Sequence, residues 1–162
     1  MTVTAVDTDL ELLTLCITTE LDVPVTRAWQ LWADPRQLER WWGPPTYPAT
    51  FVDYDLAIGG RCTYFMTGPE GEQPRGWWKI LTVDVPHSLK FENGFADERG
   101  NPNDEMPVMT MQLDLTERAG GGTTMTIVTR FESVEDMRRI LDMGMEEGLT
   151  AAISQMESIL VG

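Results

Sequence analysis

The chain is poor in histidine, cysteine and basic residues. It has one His, two Cys, and only 12 Lys and Arg against 26 Asp and Glu, for a net charge of −14. Each shortage removes a class of function. The acidic balance leaves no basic face for nucleic-acid phosphates or for an anionic membrane surface. Cys16 and Cys62 both sit inside strand-like stretches, where free Cys behaves as a small hydrophobe. They are too few for a disulfide framework and lack the close pairs or neighbouring His that a metal site needs. The lone His87 follows Pro86 in a turn-like stretch. A solvated turn histidine explains it better than a zinc ligand or the base of a Ser-His-Asp triad. No apolar run is long enough to cross a bilayer, and the first ten residues lack the basic start and apolar centre of a signal peptide. The expectation is a cytoplasmic protein with free thiols, no metal and no cofactor.

Tryptophan is what the chain concentrates. Four of its six Trp fall within residues 29–44, W-Q-L-W-A-D-P-R-Q-L-E-R-W-W-G-P. Trp demands a large apolar slot or a ligand to stack against, so the segment marks the wall of a core or of a cavity. Its spacing suits two short helices broken at Asp34-Pro35. Thr26 is placed to cap the first, which carries Trp29 and Trp32 on one side. The second carries Leu38, Trp41 and Trp42, and Gly43-Pro44-Pro45 stops it. Adjacent helical residues are about 100° apart, so Trp41 and Trp42 cannot share an environment. Trp41 is expected in the core and Trp42 nearer a pocket mouth.

Around that segment the pattern is mostly period two. Leu13, Leu15, Ile17, Thr19 and Leu21 alternate with polar residues and mark a strand before the helices. After them come strand-like stretches at 49–56, 61–67, 75–85 and 89–94, an acidic loop at 97–105, and a clean alternation at Met109, Met111, Leu113 and Leu115. Gly120-Gly121-Gly122 turns the chain into a last strand with Met125, Ile127, Thr129 and Phe131. The period then becomes helical. Ser133-Val134-Glu135-Asp136 has the form of a helix start, and Leu149, Ile153, Met156 and Leu160 form one stripe. Gly144 and Gly148 weaken the front half, so a break near Met143 is expected, with one continuous helix over 145–160. Residues 1–9 are small and polar and suggest a flexible tail before a single domain over 10–162.

One strand, two short helices, six antiparallel strands and a terminal helix make an α+β protein. Its sheet has one apolar face, and the helix is the obvious cover. Six strands curved round one helix leave more room than side chains fill, so a cavity between them follows. By strand parity and helix face, Met109, Met111, Met125, Met145 and Met156 point into that space. Flexible, polarizable Met suits both an irregular core and a surface that accepts varied apolar ligands.

These residues resemble a known family. V-P-x-x-x-A-W followed by D-P-x-x-L-x-x-W-W-G-P at 23–44, Gly59-Gly60, the G-P-x-G turn at 68–71, Gly100-Asn101-Pro102 and Gly121-Gly122-Thr123 occur in the order found in homologues of the activator of the heat-shock-protein-90 ATPase. That family lies within the helix-grip superfamily, which also holds START lipid-transfer domains and the birch pollen allergen. The likeness spans residues 13–161. It implies the helix-grip fold, a curved antiparallel sheet wrapped round a long C-terminal helix with a pocket between. It implies no single reaction, since the superfamily contains carriers, receptors and polyketide cyclases. The family's pattern also favours Trp78 as the inward member of the Trp77-Trp78 pair. An outward Trp77 is then a candidate contact for a protein partner or a second copy of the chain.

For chemistry the sequence offers little. The expected inward polar residues are Cys62, Tyr64 and Thr129, with no carboxylate pair, and neither Tyr64 nor Thr129 has an activating base. The acidic loop lacks the ligand spacing and terminal Glu of a calcium loop. The leading expectation is a non-catalytic binding or carrier protein for an apolar, aromatic or lipid-like molecule. The expected cavity residues are Trp42, Tyr64, Met66, Trp78, Phe91, Met109, Met111, Met145, Leu149, Ile153 and Met156, with Tyr64 as the hydrogen-bonding group. A chaperone-binding domain and a cyclase- or hydrolase-like enzyme are the alternatives. They differ in needing an outer apolar patch or a pocket with a base.

Overall fold

The computed structural model describes residues 2–161. Eight strands form one antiparallel sheet: β1 (Thr2–Asp9), β2 (Thr14–Leu21), β3 (Ala49–Tyr54), β4 (Arg61–Met66), β5 (Arg75–Asp84), β6 (Ser88–Ala96), β7 (Met109–Glu117) and β8 (Thr123–Arg130). Their order across the sheet is β1-β2-β8-β7-β6-β5-β4-β3. Register shifts at Phe51/Asp53 and Ile80/Thr82 strengthen the local twist on the side that carries β3 to β6. Alternation works as expected. In β2, Leu15, Ile17 and Leu21 are buried on one face while Cys16 stays half-buried on the other. In β5, Trp78 is fully buried and Trp77 lies on the outer face.

The helices lie on the apolar face, in two groups. Between β2 and β3 come α1 (Val25–Ala33) and α2 (Pro35–Leu38). Pro24, not Thr26, is the N-cap of α1, and it gives no side-chain hydrogen bond. Its fixed φ stops β2 and enters the helix without a capping hydroxyl. Asp34 starts α2, its carboxylate accepting the Arg36 N–H at 2.9 Å. Trp41 and Trp42 follow α2 in a turn rather than in a longer helix, with the Trp42 N–H still bonded to the Leu38 carbonyl. After β8 come α3 (Val134–Asp142), α4 (Met145–Ile153) and α5 (Met156–Val161). Ser133 caps α3 by accepting the Asp136 N–H at 3.0 Å. Gly144, at φ 90°, breaks the chain between α3 and α4 where the glycines suggested a break. This is the helix-grip architecture.

Two further expectations need correction. Residues 2–9 are not a tail but a strand, β1, paired along the outer edge of β2. Their sequence is polar because the strand is mostly exposed, and β2 supplies the hydrogen bonds that order it. Met1, part of the same expectation, lies outside the described residues. The expected continuous helix over 145–160 is broken between α4 and α5. Ser154 Oγ donates back to the Thr150 carbonyl at 2.9 Å, and the Gln155 N–H bonds the Ala152 carbonyl three residues back. Both tighten and bend a helix. Gln155 Nε2 in turn donates to the Gly43 carbonyl at 2.6 Å, tying the break to the tryptophan segment.

Candidate functional site

The sheet and the first turns of α4 flank an open, mainly apolar cavity of about 300 Å³. β4 contributes Tyr64 and Met66, β7 contributes Met109 and Met111, and the turn after α2 contributes Trp42. Met145 and Leu149 close it from α4. These seven of the expected residues are brought together. The other four are not at the cavity surface. Trp78 and Phe91 are fully buried, stacked on each other at 4.0 Å, and Trp42 meets Trp78 edge-on at 4.9 Å. They form the layer beneath the aromatic wall. Ile153 and Met156, also fully buried, lie beyond Leu149 in the core, because the cavity sits at the N-terminal end of α4.

Seven lining residues were not expected. Pro44 follows the tryptophan pair, and Asn93 and Phe95 come from β6. Ile140, Met143, Gly144 and Gly148 come from the α3–α4 junction. Asn93 was legible in principle, since it shares strand parity with Leu89 and Phe91. Met143 is 57% exposed at the rim, so the junction forms the mouth.

The one polar spot is built around Tyr64. Its cross-strand partner is Gly76, and a Cβ there would collide with the phenol. The glycine therefore lets the ring lie across the neighbouring strand. Asn93 Nδ2 donates to the Tyr64 oxygen at 3.1 Å and to the Trp77 carbonyl at 3.2 Å. The Trp77 carbonyl can only accept, which fixes the orientation of the amide. Burial raises the pKa of the phenol, opposed by the Asn93 amide and the Trp42 indole N–H. That indole lies beside the phenol, its ring edge-on at 5.9 Å, and its N–H forms no hydrogen bond of good geometry. Tyr64 is thus a neutral hydroxyl at physiological pH. Among the described residues no Asp, Glu, His, Lys or Arg lines the cavity.

A second hollow of similar volume lies between the 102–108 segment and α3. It is mainly polar, and Arg139 fills part of it by donating to the Glu105 carbonyl at 3.2 Å. Trp77 borders it half-buried, its N–H bonded to the Phe95 carbonyl at 3.1 Å and its ring over Gly94. Trp77 is thus held by β6 and borders the hollow that separates it from the 102–108 segment. His87 is exposed in the turn after β5, 3.4 Å from Glu117. The Asp97 carboxylate accepts two N–H groups of its own loop. Among the described residues no group of three His, Cys, Asp or Glu is arranged to hold a metal.

The sequence profile described as Activator of Hsp90 ATPase homolog 1-like protein matches residues 22–161. The chain belongs to that family. A crystal structure of a Mycobacterium smegmatis protein is 54% identical, with a TM-score of 0.90 over 98% of this chain and 97% of that one. A solution structure of an Arthrobacter aurescens protein is 49% identical, with a TM-score of 0.94 over 99% of this chain and 92% of that one. A Nitrosomonas europaea crystal structure at 27% identity has a TM-score of 0.79, over 94% of this chain and 96% of that one. No curated protein matches the chain significantly. Among the described residues no helix is long and apolar enough to cross a membrane.

Proposed function

We propose that this family member binds a small apolar or aromatic molecule in the cavity between sheet and α4 and does not transform it. The observation that carries the reading is the lining itself. Five methionines and three aromatic rings surround a hollow of about 300 Å³, with Tyr64 and Asn93 as the polar side chains at its surface beside the indole of Trp42. That is the composition of a small-molecule site, a mainly apolar concavity with a few placed polar groups. Burial of ligand gains about 25 cal/mol per Å² of apolar surface, enough for micromolar binding after the costs of association. Acid–base chemistry would require a group able to move a proton near neutral pH, and the lining offers a neutral phenol and an amide. The cytoplasm, where Cys16 and Cys62 would stay reduced, is the proposed compartment.

The family's description keeps a chaperone-directed role as a second reading. Trp77, the contact residue it would have used, is instead half-buried over Gly94, with its N–H bonded to the Phe95 carbonyl.

N-phenyl-1-naphthylamine, a neutral apolar fluorophore, tests the first reading. Its emission should rise and saturate at about one equivalent per chain. Gly148 lines the cavity, and a Cβ there meets open space. Gly148→Leu should therefore fill the hollow and abolish binding without lowering the melting temperature. Unchanged binding by that variant would place the site elsewhere.

A further inference from the structure

Resting on that reading, we infer that the cavity selects ligands whose apolar body ends in a carbonyl oxygen, held by the Tyr64 hydroxyl. The argument is one of donors and acceptors. A tyrosine hydroxyl offers one proton and accepts through its oxygen. The Tyr64 oxygen receives Asn93 Nδ2–H at 3.1 Å, and no acceptor among the described residues takes its proton. Both amide protons of Asn93 are also committed, one to Tyr64 and one to the Trp77 carbonyl. The amide therefore braces the phenol as a donor and has no N–H left for a ligand.

The Trp42 indole lies beside it. The Trp42 ring meets the Tyr64 ring edge-on at 5.9 Å, and its buried N–H has no partner, although the residue is only 6% exposed. Buried polar groups are normally paired, so the Tyr64 proton without an acceptor marks a place where an acceptor belongs. The oxygen of a neutral carbonyl supplies one without bringing a donor that must itself be satisfied.

Charge excludes the nearest competitors. A carboxylate would enter an apolar hollow with no cation in its lining, in a chain of net charge −14. An ammonium group would meet two donors and no anion. A pure hydrocarbon would fit by shape and leave the Tyr64 proton unsatisfied.

The experiment uses three probes of nearly equal shape, 2-acetylnaphthalene, 2-isopropenylnaphthalene and 1-(2-naphthyl)ethanol, each displacing N-phenyl-1-naphthylamine from the intact protein. The ketone should bind about ten-fold tighter than the alkene, the range a single hydrogen bond supplies, and tighter than the alcohol. In Tyr64→Phe, which keeps the ring, the ketone's advantage should shrink to about two-fold or less while alkene affinity stays unchanged. Equal binding of ketone and alkene to the wild type overturns the carbonyl assignment and leaves the apolar site standing. Tightest binding by the alcohol overturns it too. Ketone preference that survives in folded Tyr64→Phe removes Tyr64 as the donor. Failure of the reporter and of all three probes to bind overturns the site itself.

Discussion

Tyr64 stands opposite Gly76 across the β4–β5 pair, and its phenol occupies the space a Gly76 side chain would need. The pairing links sheet geometry to the site. A residue without Cβ on β5 lets a long ring on β4 lean sideways, which brings the hydroxyl to Asn93 on β6. Trp77 and Gly94 repeat the device on the outer face.

Gly76→Ala should therefore destabilise the protein by about 1–3 kcal/mol, the usual cost of an extra methyl in a packed site. The clash is with one side chain, so the cost should fall by about 1 kcal/mol or more in a Tyr64→Leu background. Urea denaturation of the four proteins of the cycle measures this coupling. An equal cost in both backgrounds would show that backbone strain, not the phenol, makes Gly76 necessary.

The two adjacent tryptophans should behave differently. Trp41 is fully buried, donates its N–H to the Leu31 carbonyl at 2.8 Å, and meets Trp32 edge-on at 4.6 Å. Trp42 borders the cavity with its N–H unpartnered. Trp41→Ala should cost about 3–5 kcal/mol. Trp42→Ala should cost less, because it merges with a hollow already present and breaks no hydrogen bond. Chemical denaturation of both variants decides the ranking, and an unchanged midpoint for Trp41→Ala would remove it from the core.

Period-two alternation made most of the sheet legible, because a half-buried strand must place its apolar residues on one side. It separated Cys16 from Cys62 and gathered Tyr64, Met66, Met109 and Met111 on the inner face. Parity cannot measure depth, however. Trp78, Phe91, Ile153 and Met156 do face inward, but they lie under the cavity or beyond its end rather than at its surface. β1 was hidden because an exposed edge strand needs no apolar face and takes its order from β2. The helix break at 154–155 was hidden for a related reason. Gln155 is an ordinary helix former whose side chain is held by Gly43, 112 residues away in sequence. The rim residues Ile140, Met143, Gly144 and Gly148 depend on how α3 turns into α4. The glycines marked that turn without revealing which way it would face.

Cys62 gives the fold a pH dependence at its alkaline end. Burial pushes its thiol from the ordinary value of 9.0 up to about 11, partly opposed by a backbone hydrogen bond at Asp55. Above pH 9.0 the unfolded chain loses this proton while the folded protein keeps it until about 11. The unfolded state then binds fewer protons, so stability falls as pH rises through that window and is fully present below it. Cys62→Ala should flatten the decline. Tyr54 and Tyr64, whose phenols burial also raises from 10.0, leave a residual slope at the top of the window. The same burial protects the thiol chemically. In the native protein at mildly alkaline pH, iodoacetamide should modify the half-buried Cys16 and spare the fully buried Cys62, and in urea without reductant it should modify both. Mass spectrometry reads the adducts directly. Rapid native alkylation of Cys62, or wild-type and Cys62→Ala stability curves of equal slope above pH 9.0, would show that this thiol is not held neutral by the core.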